Sequence, residues 1–247
     1  MFTILVGSGK GGVGKSTVSS VIATHLTSHY NVGLLDCDLS CPSLSRLFNI
    51  SDYQFKINKA GKIVPPQTQG VNPEKSLKVF SIGGDIPEQQ FVAWKGSTLA
   101  DIISEQFNYV SWADVDVLVV DMPPSTNDSV QTILNHCSRA SVITVTIPTD
   151  LSLVDSLKFV NLVNSKKMNL AGCIVNMANL FPPLGGNTLE VDKGDKMSTN
   201  AKFVEEYLGS KVICQLDMNP QWSMPIAGLD MIQAHEPELS QIFRSIL

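Results

Sequence analysis

The residues best suited to chemistry form a glycine-rich segment near the amino end of the chain, GSGKGGVGKST. The spacing of Gly9, Gly14, Lys15 and Ser16 fits the phosphate-binding pattern G-x4-G-K-[ST]. Glycines allow a tight turn that points successive N–H groups at phosphate oxygens, and the following helix adds its positive N-terminal end. We predict that this segment binds a nucleoside triphosphate, with Lys15 at the β- and γ-phosphates and the Ser16 hydroxyl on magnesium. The predicted phosphate-binding residues are Gly9, Lys10, Gly11, Gly12, Val13, Gly14, Lys15, Ser16 and Thr17.

A second lysine lies inside the same loop. Lys10 is awkwardly placed for a γ-phosphate held by its own chain, but its ammonium could reach the nucleotide of a second copy. There it would stabilise negative charge on the transferring phosphoryl group, as an arginine finger does. The alternative is a solvated loop lysine.

Aspartates follow two further strand-like segments. Asp121 ends the apolar run VLVVD, from which a carboxylate can support magnesium through its waters. Asp36 and Asp38 follow the second strand-like segment, 32–35, which we expect to lie next to the first strand, as in most doubly wound sheets. Two carboxylates there could orient a metal-bound water, accept a proton or cap the following turn.

Strand-like and helix-like segments alternate along the chain. The predicted strands are 2–6, 32–35, 78–82, 116–120, 140–147, 170–175 and 211–216, and the predicted helices are 17–29, 42–48, 98–107, 128–136, 152–165, 201–208 and 237–246. Residues 50–75 indicate an irregular excursion with a hairpin, and 179–198 indicate a loop. The alternation predicts an α/β fold with a doubly wound, mostly parallel sheet and helices on both faces. Without a linker or repeat, residues 1–247 are predicted to form a single domain.

Composition narrows the function classes. The net charge of −5 and the pI near 5.3 argue against a broad nucleic-acid-binding face, although a small basic patch fits both values. No apolar run approaches the ~20 residues of a membrane span, and the strand at the amino end leaves no room for a signal peptide. The 5 cysteines form no paired framework, which favours a reducing, cytoplasmic compartment.

Several motifs resemble known ATPases. KGGVGKST resembles the deviant phosphate loop of the MinD/ParA class, and the resemblance extends over nearly the whole chain to Mrp-type scaffold ATPases. LLDCDLSCPSL is similar to their D-x-D-x-x-x-P-S segment, and VDVLVVDMPPSTND is similar to their D-x-P-P-G-T-G-D switch. Their S-I-G, W-R-G and E-N-M markers are matched by Ser81-Ile82-Gly83, Trp94-Lys95-Gly96 and Val175-Asn176-Met177.

The resemblance implies a homodimer that hydrolyses ATP, with Lys10 acting in trans across two face-to-face nucleotides. It implies that Lys10, Lys15 and Asp38 are catalytic, with Asp38 positioning the attacking water. Asp36 would lie near the magnesium, and Asp121 would support the metal together with Ser16. The segment 122–128 would sense the γ-phosphate.

The resemblance also implies a site for the base. Asn176 would hydrogen-bond adenine, and Gln215 and Asp217 would line the base and the ribose. The cofactors expected for the class are ATP, magnesium and an iron–sulfur cluster that two copies bridge.

The chain departs from the pattern where the cluster should bind. Mrp-type scaffolds usually carry C-x-x-C after the E-N-M marker, but residues 179–186 hold no cysteine, and cluster ligation needs thiolates. Ser125 and Asn127 replace the two glycines of the switch, which should restrict its backbone. Val175 replaces the glutamate of E-N-M.

Cys37 and Cys41 form a C-x3-C pair beside the acidic residues, in a segment expected near the dimer interface. Two copies could offer four thiols to a relocated cluster, whereas the alternative is that both cysteines are small packing residues.

We therefore carry three hypotheses for the function. The first is a homodimeric Mrp-type ATPase in iron–sulfur or metal-cofactor assembly. The second is a MinD/ParA-like positioning or regulatory ATPase without a cluster. The third is a cysteine-less scaffold subunit that pairs with a cluster-bearing paralogue.

The carboxyl-terminal apolar face is expected to pack on the sheet rather than bind a membrane, because it carries few basic residues.

Overall fold

Strands and helices alternate along the computed structural model, which describes residues 1–82, 96–180, 199–219 and residue 240. The strands are β1 (Phe2–Gly7), β2 (Val32–Asp36), β3 (Lys56–Ile57), β4 (Ile63–Val64), β5 (Gln67–Thr68), β6 (Leu77–Phe80), β7 (Val117–Asp121), β8 (Ser141–Thr146), β9 (Asn169–Asn176) and β10 (Val212–Leu216). The helices are α1 (Lys15–Leu26), α2 (Leu44–Leu47), α3 (Gly96–Tyr109), α4 (Asp128–His136), α5 (Asp150–Ser165) and α6 (Thr199–Leu208).

Eight of the described strands form one sheet in the order β10-β9-β8-β1-β7-β2-β6-β5. Neighbouring strands are parallel except β5, which pairs antiparallel with β6 at the edge. The predicted α/β fold with a mostly parallel sheet is therefore confirmed.

The position of β2 differs from the prediction. We expected β2 next to β1, but β7 lies between them and pairs with both. Because α1 packs across β1, β7 and β2, the connection between β1 and β2 passes over one strand position, which β7 fills. Asp121 consequently lies between the phosphate loop and Asp36.

The core consists of apolar layers on both faces of the sheet. Along β1, Ile4 and Val6 join the layer that contains α1, whereas Leu5 joins the layer that contains residues of α3, α4 and α5. This alternation follows from the two-residue period of a strand, and helices on both faces explain why the central strands are apolar throughout. Burying each large aliphatic side chain stabilises the fold by roughly 2 kcal/mol.

Local differences from the predicted boundaries have structural reasons. The predicted helix over 42–48 is only the four-residue α2, because Pro42 and Ser43 precede its first turn. α1 ends at Leu26, three residues before the predicted end, and its C-cap is Thr27. The hairpin predicted within 50–75 is present as β3 and β4. Apart from residue 240, the predicted helix over 237–246 lies outside the described residues, as do Gly83, Trp94, Lys95 and residues 181–198.

Candidate nucleotide-binding site

The phosphate loop connects β1 to α1 at the carboxyl edge of the sheet. Gly14 has φ 84°, and a Cβ atom there would lie 2.2 Å from Asn176 Nδ2. Gly9 packs on α5, where a Cβ would lie 2.0 Å from the backbone oxygen of Asp155. Both positions therefore require glycine, one for its left-handed backbone and both for close approach. The Ser8 hydroxyl also donates to the Lys10 carbonyl at 3.0 Å, which helps to fix the turn.

Lys15 lies in the first turn of α1 with only 6% of its side chain exposed. Its ammonium is 2.8 Å from Asp121 Oδ1 and 3.9 Å from Asp38 Oδ2. Burial disfavours the charged ammonium, but the carboxylates of Asp121, Asp38 and Asp36 outweigh that effect and raise the pKa of Lys15. Lys15 is therefore a permanent positive charge at the carboxyl ends of β7 and β2.

Asp121 is fully buried at the end of β7. Its Oδ1 accepts hydrogen bonds from the Lys15 ammonium and the Ser19 hydroxyl, each at 2.8 Å. Among the described residues, its Oδ2 has no hydrogen-bond partner although it is buried. A buried carboxylate oxygen without a donor costs free energy, and a metal-bound water would satisfy it.

The residues around Oδ2 fit magnesium. The Ser16 hydroxyl lies 3.3 Å from the Lys15 ammonium and so belongs to the same cluster as Asp121. Within the described ranges, no group of three or more His, Cys, Asp or Glu side chains is arranged to hold a metal ion by itself. Magnesium typically keeps several waters and binds through one or two protein oxygens plus substrate phosphates, which is what a hydroxyl and one carboxylate can supply.

The Asp36 carboxylate is held in place by hydrogen bonds from three other residues. Its carboxylate accepts from the Ser81 hydroxyl at 2.8 Å, from the Leu44 N–H at 3.3 Å and from the Asp38 N–H at 3.1 Å. Burial, followed by the charge of Asp121, raises the pKa of Asp36 to about 7, against the opposing effects of Ser81 and Lys15. These contacts support the capping alternative for Asp36, and its place near magnesium stays a prediction.

Asp38 faces the phosphate loop from the segment after β2. Only 8% of the residue is exposed, and its Oδ2 lies 3.9 Å from the Lys15 ammonium. Burial raises the pKa of Asp38, while the charge of Lys15 works in the opposite direction. A carboxylate at this distance from the Lys15 ammonium is placed to contact water beside a bound phosphate.

Cys37 and Cys41 lie in opposite environments. Cys37 is buried in the apolar layer that includes Leu35, and its Sγ lies 3.8 Å from Gln106 Oε1, whereas Cys41 is exposed. Burial raises the pKa of the Cys37 thiol well above its usual value, so the thiolate that a cluster needs is disfavoured. These environments support the alternative that Cys37 is a packing residue, and a cluster held by both cysteines stays a hypothesis.

The two residues that replace switch glycines have local roles. Ser125 has φ 91°, its N–H donates to the Ser8 carbonyl at 3.1 Å, and its hydroxyl accepts from the Asn127 N–H at 3.3 Å. Asn127 is the N-cap of α4, where its Oδ1 accepts from the Val130 N–H at 3.2 Å. The switch is thus tied to the loop after β1 through one backbone hydrogen bond.

Asn176 ends β9 and reaches the phosphate loop. Its Nδ2 donates to the Val13 carbonyl at 2.8 Å, which leaves Oδ1 for another donor. Gln215 and Asp217 lie one strand further, on β10 and directly after it, and Leu216 is in register with Asn176. The structure thus joins Asn176 to the loop and places Gln215 and Asp217 beside it on the same sheet edge.

Lys10 is half-exposed on the loop. No carboxylate of the described residues forms an ion pair with its ammonium, in contrast to Lys15. Its side chain is accordingly available to a second molecule.

Sequence reasoning missed three supporting residues. Ser19 binds Asp121 from one turn after Lys15, and Ser81 and Gln106 bind the Asp36 carboxylate and carbonyl. Ser19 could have been found, because a residue four positions after Lys15 lies on the same helix face. The contacts of Ser81 and Gln106 join distant segments and leave no local signal.

Comparisons with known proteins agree with this geometry. The family model for NUBPL iron-transfer P-loop NTPases of the ParA group matches residues 2–247. An iron–sulfur cluster carrier protein of Pyrococcus furiosus is 32% identical over 195 residues, covering 77% of this chain and 66% of the relative. The protein of the same name from Aquifex aeolicus is 32% identical over 247 residues, covering 98% of this chain and 65% of the relative. The chain spans about two thirds of the length of these curated relatives.

Solved structures show the same architecture. A nucleotide-binding protein of Archaeoglobus fulgidus in complex with ADP has a TM-score of 0.71 and 26% identity, over 97% of this chain and 90% of its own. The septum site-determining protein MinD of Pyrococcus horikoshii, complexed with Mg-ADP, shares the fold with a TM-score of 0.63 and 16% identity. The match covers 99% of this chain and 93% of the MinD chain. None of the described helices is long and apolar enough to cross a membrane. The phosphate loop, the sheet order and the match over residues 2–247 show that the chain belongs to the ParA/NUBPL family of iron-transfer P-loop NTPases.

Proposed function

We propose that this chain binds ATP with magnesium and hydrolyses it as a homodimeric switch in the assembly or transfer of iron–sulfur clusters. The observation that carries the proposal is the cluster of Lys15, Ser16 and Asp121, in which a buried carboxylate oxygen has no described partner. We further propose that residues 1–247 act as one domain in a reducing, cytoplasmic compartment.

The chain's own groups would divide the work as follows. The loop N–H groups and Lys15 hold the phosphates, and Lys15 keeps its charge because the carboxylates raise its pKa. Ser16 and Asp121 would hold magnesium, which when bound neutralises charge on phosphate oxygens. Asp38 orients the attacking water, and Lys10 of a second copy stabilises charge on the transferring phosphoryl group. Asn176, Gln215 and Asp217 bind the base and ribose.

The cluster part of the proposal rests on the relatives, which are named iron–sulfur cluster carrier proteins. Residues 179–186 contain no cysteine, and Cys37 is buried. These two facts favour a second candidate, a cysteine-less subunit that pairs with a cluster-bearing paralogue. A MinD/ParA-like regulatory ATPase without a cluster is the remaining alternative.

ATP hydrolysis is tested by phosphate release and nucleotide binding in the wild type and in Asp38→Ala. We expect Asp38→Ala to retain ATP binding and to lose turnover by about a hundredfold or more, because a positioned water is lost. Wild-type protein without magnesium-dependent turnover would overturn the ATPase proposal, and an unchanged rate in Asp38→Ala would move the water-positioning role to another residue.

The cargo is tested by anaerobic reconstitution with iron and sulfide, read by visible absorbance and iron per dimer. The Cys37→Ala/Cys41→Ala variant is the control. No cluster in either protein supports the paralogue or regulatory candidate, and a cluster lost in the variant would mean that Cys37 leaves the core to bind it.

A further inference from the structure

A small hairpin lies outside the nucleotide site. β3 pairs antiparallel with β4, and residues 58–62 form the tip. The Asn58 Oδ1 accepts hydrogen bonds from the N–H groups of Ala60 and Lys62, each at 3.0 Å. The Asn58 N–H donates to the Lys62 carbonyl at 2.9 Å. The tip is therefore fixed before binding, so a partner that docks on it would lose little affinity to ordering the loop.

The hairpin is anchored to the segment that follows α3. The Ser111 N–H donates to the Ile63 carbonyl at 2.8 Å, and Ile63 forms a parallel bridge with Val110. Just before β3, the ring of Phe55 packs on the ring of Phe80, with 5.0 Å between the ring centroids. Val110 comes before the start of β7, near the amino ends of the strands, whereas the phosphate-binding groups follow the carboxyl ends. The hairpin can thus meet a partner without covering the nucleotide site.

The hairpin is basic in an acidic protein. Lys56, Lys59 and Lys62 are exposed, and no Asp or Glu occurs from Tyr53 to Pro73, whereas the chain carries a net charge of −5. None of the three lysines forms an ion pair with a carboxylate in the part of the chain that the structure describes. Within the described residues, a local cationic surface therefore faces solvent without carboxylate partners.

Exposed apolar side chains accompany these charges. Ile57 on β3 is 71% exposed, and Tyr109 at the end of α3 is 55% exposed. The register places Ile57 opposite Ile63, and Ile63 bridges Val110, the neighbour of Tyr109. Exposed large apolar groups that lie together are more typical of binding surfaces than of solvated turns.

One edge of β3 carries no strand. Among the described residues, β4 has β3 on one side and Val110 on the other, whereas β3 pairs only with β4. An extended polypeptide can continue the sheet at such an edge through main-chain hydrogen bonds. Neither a nucleic acid nor a lipid headgroup can do so, which favours a polypeptide among anionic partners.

We propose that this hairpin docks an extended acidic segment of a partner protein. The segment pairs with the free edge of β3, covers Ile57, and places carboxylates beside Lys56, Lys59 and Lys62. The proposal concerns a surface separate from the nucleotide site and stands whether or not the chain hydrolyses ATP.

The test uses a labelled peptide of alternating glutamate and valine, titrated with the full chain and followed by fluorescence anisotropy. We expect saturable binding that weakens with salt, and that weakens by about tenfold in Lys56→Glu/Lys59→Glu/Lys62→Glu. The variant Lys166→Glu/Lys167→Glu/Lys211→Glu is the matched control, since it changes the net charge equally at three exposed lysines elsewhere and should bind as the wild type does.

A second peptide tests the edge pairing without changing the protein. Its backbone amides are N-methylated, so it keeps its charges but cannot donate to β3, and we expect it not to bind. Equal affinities of the two triple variants, equal binding of the methylated peptide, or no binding of either peptide would overturn the proposal. Phosphatidylserine vesicles and single-stranded RNA are run in parallel. Binding of either through the three hairpin lysines, with the peptide silent, would also overturn it.

Discussion

The side chain of Asn176 is joined to the phosphate loop, since its Nδ2 donates to the Val13 carbonyl at 2.8 Å. The same nitrogen would lie only 2.2 Å from a Cβ atom at residue 14. The residue predicted to bind adenine is therefore also a structural part of the phosphate loop. We therefore expect a substitution at Asn176 to affect the phosphate loop, and a substitution in the loop to affect Asn176.

This contact predicts coupling between residues 14 and 176. We expect Gly14→Ala to lower the free energy of unfolding by about 2 kcal/mol, because of its positive φ and its clash with Asn176. In an Asn176→Ala background, the cost should fall to about 1 kcal/mol, since only the backbone strain remains. Urea denaturation of the four proteins measures the coupling.

Gly12→Ala is the matched control. Gly12 also has a positive φ, but a Cβ there meets nothing within 4 Å. Its cost should be about 1 kcal/mol in both backgrounds. Strictly additive effects of Gly14→Ala and Asn176→Ala would show that the two residues do not touch in solution.

Asp36 predicts a pH dependence. Its pKa is raised to about 7 in the folded protein, above the value of 3.8 for a free carboxyl, so the folded state binds the extra proton and ionisation opposes folding. The destabilising contribution is absent below about pH 4 and grows as the pH rises towards 7. We expect the stability of Asp36→Asn relative to the wild type to increase by about 2 kcal/mol between pH 5 and 7, measured by urea denaturation without magnesium or nucleotide. A pH-independent difference between the two proteins would contradict the buried environment of Asp36.

The positive φ of Ser125 predicts a difference in stability between two substitutions in the switch. Its φ of 91° is unfavourable for serine, and its hydroxyl accepts from the Asn127 N–H. Ser125→Gly removes both the strain and the hydrogen bond, whereas Ser125→Ala removes only the hydrogen bond. We expect the glycine variant to be more stable than the alanine variant by about 1 kcal/mol in thermal or urea unfolding. Equal stabilities would mean that residue 125 relaxes out of the left-handed region.

Lys10 predicts a dimer-dependent rate. If its ammonium acts on the nucleotide of a second copy, Lys10→Ala should bind ATP as a monomer, lose ATP-dependent dimerisation, and hydrolyse ATP about a thousandfold more slowly. Light scattering with a non-hydrolysable ATP analogue and phosphate-release assays measure the two effects, with Lys166→Ala as the remote lysine control. Intact dimerisation and hydrolysis in Lys10→Ala would exclude the trans role.

The sequence predicts the parts of this site that depend on local patterns. The phosphate loop and Asp121 can be identified from sequence because each is a pattern of a few consecutive residues, a glycine-rich turn in one case and an aspartate at the end of an apolar strand in the other. The inward direction of Cys37 also follows from a local rule, because alternate residues of an extended segment face opposite sides. Leu35 and Cys37 accordingly share one face, and the packing alternative for Cys37 could have been favoured on that ground.

The strand order could not be predicted in the same way. The insertion of β7 between β1 and β2 depends on how α1 packs across three strands, and no short stretch of sequence encodes that choice. For the same reason, the contacts of Asp36 with Ser81 and Leu44 appear only when the chain has folded.

The central position of β7 also affects how the protein is made. Lys15 and Asp121 are 106 residues apart in sequence, and β7 is the strand that brings them together. A nascent chain that has not yet released β7 from the ribosome has the glycine-rich loop but lacks the carboxylate that orders Lys15. Contacts of such high sequence separation form slowly, because a long loop must close first. We therefore expect the proposed nucleotide site to form only after β7 has left the ribosome, when about half of the 247 residues have been released.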